Sequence, residues 1–461
     1  MEFRIPEKVN IIIDELMNHG YEAYAVGGCV RDMVLGREPK DWDITTSATP
    51  QEVKHLFRRT VDTGIQHGTV TVLQGKDHYE VTTYRLDGIY EDNRHPKEVS
   101  FTSSLTEDLK RRDFTINAMA YNEREGFIDL FGGMDDLNKG LIRCVGKATE
   151  RFDEDALRIL RAVRFSAQLG FEIDNETMEA IRNKVQHLNH ISAERIRVEL
   201  SKLLLSDHPD RLRTLYELGI TKVILPEFDH MMKTPQNNKH HIYNVGEHTI
   251  HTVEEVAGKL EEELFDKAQR SILRWTMLLH DIEKPGSICV GKDGQHHFYG
   301  HPEKGAITAK TILKRLKFDN DTLEAVVHLI RWHDYRFTLT PSGMRRAASK
   351  VGKNYMELLF EVNRADTAGK NPAFTKDKYE SLKEARRLYQ GILERDECVS
   401  LKELDINGND LITEGYKPGK TLGEMLNQLL RAVIENPDLN RKDKLLELSH
   451  TLMKENSKNS D

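Results

Sequence analysis

The segment 25–46 limits the fold more than any other stretch of this sequence, because it joins a glycine turn to closely spaced charged residues. Gly27 and Gly28 follow a short apolar run and let a backbone turn present its N–H groups to a phosphate. Arg31 comes three residues later, where a helix should begin, and its guanidinium could hold a phosphate through two parallel hydrogen bonds. We therefore predict a strand, a phosphate-binding turn and a helix here.

Two acidic residues, Asp41 and Asp43, stand near the end of the same segment. In a strand their side chains would point to the same face, since successive side chains alternate. Adjacent carboxylates repel each other unless a cation lies between them, and Mg²⁺ is suited to carboxylates combined with substrate phosphates. Each feature alone is also typical of an ordinary turn or an exposed strand end, but together they predict metal-assisted nucleotidyl transfer.

The composition excludes several classes of protein. A chain of 461 residues is expected to form two to four domains. It has no apolar run long enough to cross a membrane, and its first residues lack the core of a signal peptide. Four scattered cysteines predict reduced thiols and a cytoplasmic protein rather than a disulfide framework or a zinc site. The net charge of −8 argues against indiscriminate coating of nucleic acid, although it permits a local basic stripe.

The order of elements predicts a mixed head followed by helices. Alternating or β-branched runs predict strands at 21–26, 43–45, 68–73 and 79–85, with helices at 6–18, 30–35 and 50–57. A polar loop is expected over 88–106, and the rest of the chain reads as mainly helical. Glu80, in the fourth strand, is either an exposed strand carboxylate or a third acid near the metal pair.

A segment at 152–169 carries a second kind of signal. Its apolar residues have helical spacing, and Asp155, Arg158 and Arg161 recur every third residue. On one helix this spacing places a carboxylate beside a guanidinium, which could read the hydrogen-bonding edge of a base. The alternative is an ordinary ion pair within the helix.

The glycine turn with Arg31, followed by Asp41 and Asp43, resembles the head of the class II tRNA nucleotidyltransferases and bacterial poly(A) polymerases, in the polymerase-beta-like superfamily. The segments at 108–121 and 152–169 resemble further signatures of the same family. The resemblance implies an α+β fold, in which a small α/β head precedes an all-α neck, body and tail. We predict the corresponding parts at 1–145, 146–225, 226–375 and 376–461.

The resemblance also implies roles for individual residues. Asp41 and Asp43 would be catalytic and would hold Mg²⁺, and Asp155 with Arg158 would select CTP and then ATP. The implied nucleotide-binding residues are Gly28, Arg31, Arg112, Asp155, Arg158, Arg161 and Arg164. Asp113 would lie at the sugar side with Asn117 one helical turn away, the loop at 84–101 would be flexible, and 194–200 would brace the base-selecting helix.

Histidines and aspartates form another series later in the chain. The order His248, His280-Asp281, His301, His333 and Asp366 resembles the HD phosphohydrolase superfamily. The resemblance implies a second divalent metal, held by His248, His280, Asp281 and Asp366, because imidazole and carboxylate together suit such ions. Glu283 stands where many members have glycine, and we expect it to add charge beside the metal pocket.

The resemblance implies a CCA-adding tRNA nucleotidyltransferase whose partners are tRNA, CTP and ATP. A poly(A) polymerase and a CC-only or A-only enzyme share the head motifs and remain alternatives. The intact loop at 84–101 and the mixed-charge tail favour full CCA addition. From another class, the HD part could be the main activity, a metal phosphohydrolase acting on 2′,3′-cyclic or 2′-phosphates, with an RNA-binding head. A non-enzymatic RNA-binding scaffold fits poorly. The sequence leaves the oligomeric state open.

Overall fold

The computed structural model describes residues 4–87, 99–256 and 264–458. The chain divides into two compact units, Met1–His230 with Lys314–Phe318, and Met231–Leu313 with Asp319–Asp461. The division into four parts stays a prediction. Among the described residues, no helix combines the length and the apolar character that a bilayer crossing requires.

A seven-stranded sheet forms the centre of the first unit. Its strand order is β3-β4-β5-β2-β1-β8-β9, and β2 and β5 pair in parallel whereas the other neighbours are antiparallel. The short pairs β6-β7 and β10-β11 lie outside it. The strands of the first unit are β1 Ala23–Val26, β2 Asp43–Thr46, β3 Thr60–Gly64, β4 Thr69–Gln74, β5 Asp77–Thr83, β6 Arg85–Asp87, β7 Val99–Phe101, β8 Met119–Asn122, β9 Gly126–Asp129, β10 Leu141–Ile142 and β11 Glu172–Ile173.

Helices cover this sheet and make up the rest of the unit. The first helix buries an apolar face with helical spacing, formed by Val9, Ile12, Ile13 and Leu16. The third begins at a capping box, in which Thr49 and Glu52 satisfy each other's backbone N–H groups. The helices are α1 Glu7–Asn18, α2 Gly28–Val34, α3 Pro50–Leu56, α4 Leu105–Lys110, α5 Gly133–Lys139, α6 Ala148–Glu154, α7 Leu157–Leu169, α8 Asn175–Lys184, α9 Ala193–Leu204, α10 Leu212–Glu217, α11 Thr221–Ile224 and α12 Pro226–Met232.

Three expectations about this unit need correction. The predicted loop at 88–106 is shorter, because β6 and β7 pair across its base and α4 occupies its end, while residues 88–98 lie outside the described part. Strands β8 and β9 were not predicted, since they are short and sit within or just after a signature segment. The segment at 152–169 is two helices, because the Asp155 carboxylate accepts the backbone N–H of Leu157 at 3.0 Å and ends α6.

The second unit is helical apart from the hairpin β12 Ile288–Val290 with β13 His296–Phe298. The tail packs through apolar residues at helical spacing in the helix Lys420–Glu435, where Met425, Leu429 and Val433 are buried in a cluster drawn from 398–445. The helices are α13 Val245–Glu255, α14 Lys267–Leu279, α15 Lys284–Ser287, α16 His301–Arg315, α17 Asn320–Trp332, α18 Pro341–Val351, α19 Lys353–Ala368, α20 Lys376–Glu394, α21 Gly408–Thr413, α22 Lys420–Glu435 and α23 Lys442–Lys458.

Candidate functional site

The glycine turn lies between β1 and α2, against two guanidinium groups. Gly27 has φ of +82°, and a Cβ added there would lie 3.1 Å from Nη1 of Arg112. A Cβ on Gly28 would lie 3.7 Å from Nη2 of Arg31. The structure therefore brings together Gly28, Arg31 and Arg112, as predicted, with both guanidinium groups against the turn.

The acidic residues meet at the edge of the parallel strand pair. Asp43 begins β2 and lies at the same register position as Glu80 on β5. Both line a cavity of about 240 Å³, together with Arg85, Arg111 and Arg112. The predicted strand begins at Asp43, as expected, but Asp41 lies outside it, exposed in the bend before β2, so strand alternation does not place the two side chains on one face.

Electrostatics at this edge favours a cation. Burial raises the pKa of Asp43, and the nearby carboxylates of Glu80 and Asp41 raise it further, whereas Arg112 lowers it. The negative charges thus repel one another with only partial compensation. An oxygen-ligand set of this kind suits Mg²⁺, as the sequence predicted.

Asp108, which the sequence analysis missed, fixes the orientation of Arg112. Its carboxylate is fully buried and accepts hydrogen bonds from Thr45 at 3.1 Å, Arg111 at 2.6 Å and Arg112 at 3.3 Å. Its pKa is lowered, because the two arginines outweigh the effect of burial. The spacing of Asp108 four residues before Arg112 is a local signal that could have identified it.

A series of hydrogen bonds connects Arg31 to α7. Arg31 donates to Oδ1 of Asn117 at 2.7 Å, and Asn117 donates to Oδ1 of Asp113 at 3.1 Å. The other oxygen of Asp113 accepts from Nε of Arg161 at 2.7 Å. Burial opposes ionisation of Asp113, but Arg161 and Asn117 lower its pKa to about 2. Asn117 supports Asp113 as predicted, although from the 3-10 turn Thr115–Asn117 rather than from an α-helix.

Asp155 and Arg158 do not lie side by side on one helix, so that prediction is wrong. Asp155 stands between α6 and α7 and accepts from Arg195 of α9 at 2.8 Å. Arg158 instead donates to Glu154 at 2.5 Å and to the backbone oxygen of Arg111 at 2.8 Å. The bracing role predicted for 194–200 is thus carried by a direct ion pair to Asp155.

Phe165, also missed, gathers three arginines around its buried ring. The guanidinium carbons of Arg31, Arg161 and Arg164 lie 5.2, 5.3 and 3.8 Å from the ring centroid. Arg164 also pairs with Glu199 at 2.5 Å. Nothing in its local sequence marks Phe165, since an apolar residue is expected at this position of α7.

A second cluster lies in the other unit and contains all six residues of the HD-like series. The distances between ring nitrogens and carboxylate oxygens are 3.1 Å for His248–Asp366, 3.1 Å for His280–Asp281 and 3.4 Å for His301–Asp281. Within the described residues, two groups have metal-ligand spacing, His248 with His280 and Asp281, and Asp281 with His301 and His333. Asp281 belongs to both groups, so its carboxylate is central to the cluster that would hold a divalent metal.

The histidines of this cluster are oriented by the backbone. Each places Nδ1 within 2.7–2.9 Å of a carbonyl oxygen, so Nδ1–H donates and Nε2 is left as the ligand atom. Burial and the neighbouring histidines lower the pKa of His333 to about 3, which keeps its ring neutral, as metal binding requires. The carbonyl partners belong to Gly369 for His248, Met277 for His280, Phe298 for His301 and Ile330 for His333.

Two lysines balance the acidic ligands. Nζ of Lys284 lies 2.6 Å from Asp281, and Lys370 pairs with Asp366. The charge expected from Glu283 beside the metal pocket is not found there, because its carboxylate accepts from Thr308 of α16 at 2.5 Å. This departure from the HD pattern therefore leaves the ligand cluster intact.

Known protein families match the sheet-containing first part of the chain and two of its helical segments. Residues 23–143 match the poly(A) polymerase head domain, 170–232 match an RNA- and SrmB-binding site of polymerase A, and 304–448 match domain 2 of tRNA nucleotidyltransferases. The chain is 34% identical to the CCA-adding enzyme of Ligilactobacillus salivarius over 445 residues, covering 96% of each protein. The chain belongs to the CCA-adding enzyme family.

Other CCA-adding enzymes are similar over part or all of the chain. The enzyme of Oceanobacillus iheyensis is 49% identical over 246 residues, and the enzyme of Lactiplantibacillus plantarum is 56% identical over 198 residues. These two alignments span 59% and 49% of the relatives' lengths. The crystal structure of the Bacillus stearothermophilus CCA-adding enzyme in complex with CTP has 30% identity and a TM-score of 0.72, with 97% of each chain covered. The predicted α+β fold and nucleotidyltransferase class are confirmed.

Proposed function

We propose that this chain adds C, C and A from CTP and ATP to the 3′ end of tRNA. The observation that carries the proposal is the arrangement of Asp43 and Glu80 beside Arg112 and the glycine turn, in a chain similar over its whole length to a CCA-adding enzyme. The relatives are named CCA-adding enzymes, which favours this function over the poly(A) alternative.

The carboxylates and arginines have complementary tasks. Asp41, Asp43 and Glu80 would hold Mg²⁺, which when bound neutralises triphosphate charge and lowers the pKa of the attacking 3′-hydroxyl. Arg31 and Arg112 would bind the triphosphate through charge-assisted hydrogen bonds, close to the N–H groups at the start of α2. Asp108 and Asn117 keep these guanidinium groups in place before the nucleotide arrives.

Nucleotide selection would fall to Asp155 and Arg158, as the family resemblance implied. Arg195 holds one oxygen of Asp155 at 2.8 Å, yet an ionised carboxylate retains further acceptor positions for the exocyclic amine that C and A both carry. Arg158 would act beside it, and Glu154 and the backbone set its orientation. Arg161 and Arg164 would act toward the triphosphate and the RNA.

The test is incorporation of labelled CTP and ATP into tRNA transcripts that end before CCA, after C and after CC, with Mg²⁺. Addition that matches the missing residues supports the proposal, and the variant Asp41→Ala/Asp43→Ala should abolish it. Wild-type protein that leaves all three transcripts unextended would refute it.

We further propose a second activity, a metal-dependent phosphohydrolase in the other unit. Six buried side chains support it, and the four histidines among them have their Nδ1 atoms fixed by carbonyl groups, because such preorganisation is costly for residues with no ligand to bind. The test is metal content after dialysis against Mn²⁺ or Zn²⁺. We expect bound metal in the wild type and its loss in Asp281→Ala, with tRNA extension unchanged; equal metal content in both would refute it.

A further inference from the structure

Two cavities open onto the second metal cluster. The first, here called the hairpin cavity, has a volume of about 480 Å³ and is lined by His297 and Tyr299 of the β12–β13 region together with Asp281. The second, the α20 cavity, has a volume of about 540 Å³ and is lined by Phe337 and by Ser381 of α20. Both lie within the second unit.

The two cavities meet at the metal ligands. They share a wall that includes the proposed ligand Asp366 and its partner Lys370, with Arg336 on the same wall. Lys370 pairs with Asp366 at this junction. A phosphate bound at the metal cluster would therefore have open space on two sides.

Charge at the junction is balanced before a metal binds. Lys284 and Lys370 pair with the proposed ligands Asp281 and Asp366. Lys378 and Arg336 stand against the two other carboxylates of the cavity walls, Asp334 and Asp377. A divalent metal held by the cluster would therefore leave an excess of positive charge, which a phosphate group matches.

The far walls of both cavities suit organic groups. In the hairpin cavity the rings of His297 and Tyr299 stack with an interplanar angle of 7°, and Tyr299 is 73% exposed, so it offers a free face to a planar ring. The α20 cavity has the more apolar wall, formed by Tyr335, Phe337, Leu339 and Leu382.

We propose that the substrate of this centre is an acyclic phosphodiester that carries one organic group in each cavity. A phosphomonoester, or a cyclic phosphate of a single nucleoside, would fill only one of them. The inference rests on the proposed second activity and narrows its substrate class.

The reaction is a hydrolysis with no change of oxidation state. The oxygen of water forms a bond to phosphorus, and the bond from phosphorus to one of the two ester oxygens breaks. A proton from the water passes to the departing alkoxide, so the products are an alcohol and a phosphomonoester.

The experiment compares bis(4-nitrophenyl) phosphate with 4-nitrophenyl phosphate, which share a leaving group, on the full chain loaded with Mn²⁺. The variant Ser381→Trp fills the α20 cavity from the exposed face of its helix, and Ser381→Ala is the matched control. We expect the wild type to hydrolyse the diester with the higher kcat/KM. Ser381→Trp should lower that value at least 10-fold but change monoester hydrolysis less than twofold.

Binding provides a readout that does not depend on turnover. Calorimetric titration of bis(4-nitrophenyl) phosphate into metal-free protein should show at least fivefold weaker binding for Ser381→Trp than for Ser381→Ala. Hydrolysis of the monoester alone would overturn the inference and leave the second activity standing. An equal loss of kcat/KM for both esters in Ser381→Trp would do the same. Hydrolysis of neither ester would overturn both.

Discussion

Asp43 and Glu80 face each other across the parallel strands β2 and β5, at the same register position. Burial raises the pKa of Asp43, and the nearby Glu80 carboxylate raises it further. A cation between the two carboxylates would relieve their repulsion, so we propose Glu80 as a third carboxylate of the catalytic centre.

If Glu80 helps to hold Mg²⁺, Glu80→Gln should lower kcat for C addition by about 100-fold and raise the Mg²⁺ concentration needed for half-maximal activity. Asp77→Asn is the control, because Asp77 lies on the same strand, is exposed and pairs with Lys8 at the surface. Steady-state kinetics across a Mg²⁺ series measures both effects. An unchanged Mg²⁺ dependence in Glu80→Gln would show that Glu80 is not part of the metal site.

A side chain added to the glycine turn should weaken nucleotide binding, beyond the loss of stability that backbone strain causes. Gly27→Ala and Gly75→Ala both force a side chain into the left-handed region, at a cost of about 1 kcal/mol each. At Gly75 the added Cβ meets no described atom within 4 Å, whereas at Gly27 it presses on Arg112. Thermal unfolding should show a loss of stability for both variants, larger for Gly27→Ala, but only Gly27→Ala should raise KM for CTP. Equal KM values would contradict the proposed role of Arg112.

The ion pair between Arg195 and Asp155 predicts a loss of nucleotide selectivity. Arg195→Ala frees the Asp155 carboxylate to move, and discrimination against UTP and GTP should fall by about 10-fold, the equivalent of one lost hydrogen bond. Competition assays on transcripts that lack CCA measure this ratio. Arg182→Ala, which removes an exposed arginine paired with Glu179, should leave selectivity unchanged.

Asp113 predicts a pH dependence of stability. Its folded pKa of about 2 lies below the unfolded value, so its stabilising effect is present above about pH 4 and disappears as the pH falls toward 2. Asp113→Asn should therefore lower the free energy of unfolding by about 2 kcal/mol at pH 7 and flatten its dependence between pH 4 and 2. Urea unfolding at a series of pH values measures this. An unaltered slope in that window would show that folding does not lower the pKa of Asp113.

The sequence predicts the parts of the site that depend on local patterns. Gly28 and Arg31 are found where a turn and a helix were expected, and the six HD-like residues converge in the second unit. The prediction of a continuous helix through Asp155 was wrong. The apolar residues keep helical spacing on both sides of Asp155, so the pattern does not reveal the break that its side-chain hydrogen bond makes. Phe165 could not be recognised, since its role depends on arginines from distant segments.

The most direct test of the central claim is the length of the product formed on a tRNA transcript that lacks CCA, with CTP and excess ATP. Resolved at single-nucleotide level, the product should gain C, C and A in that order and then stop. A growing A tract would contradict the account and indicate a poly(A) polymerase, and a product that stops after two C residues or accepts only A would indicate a partial activity.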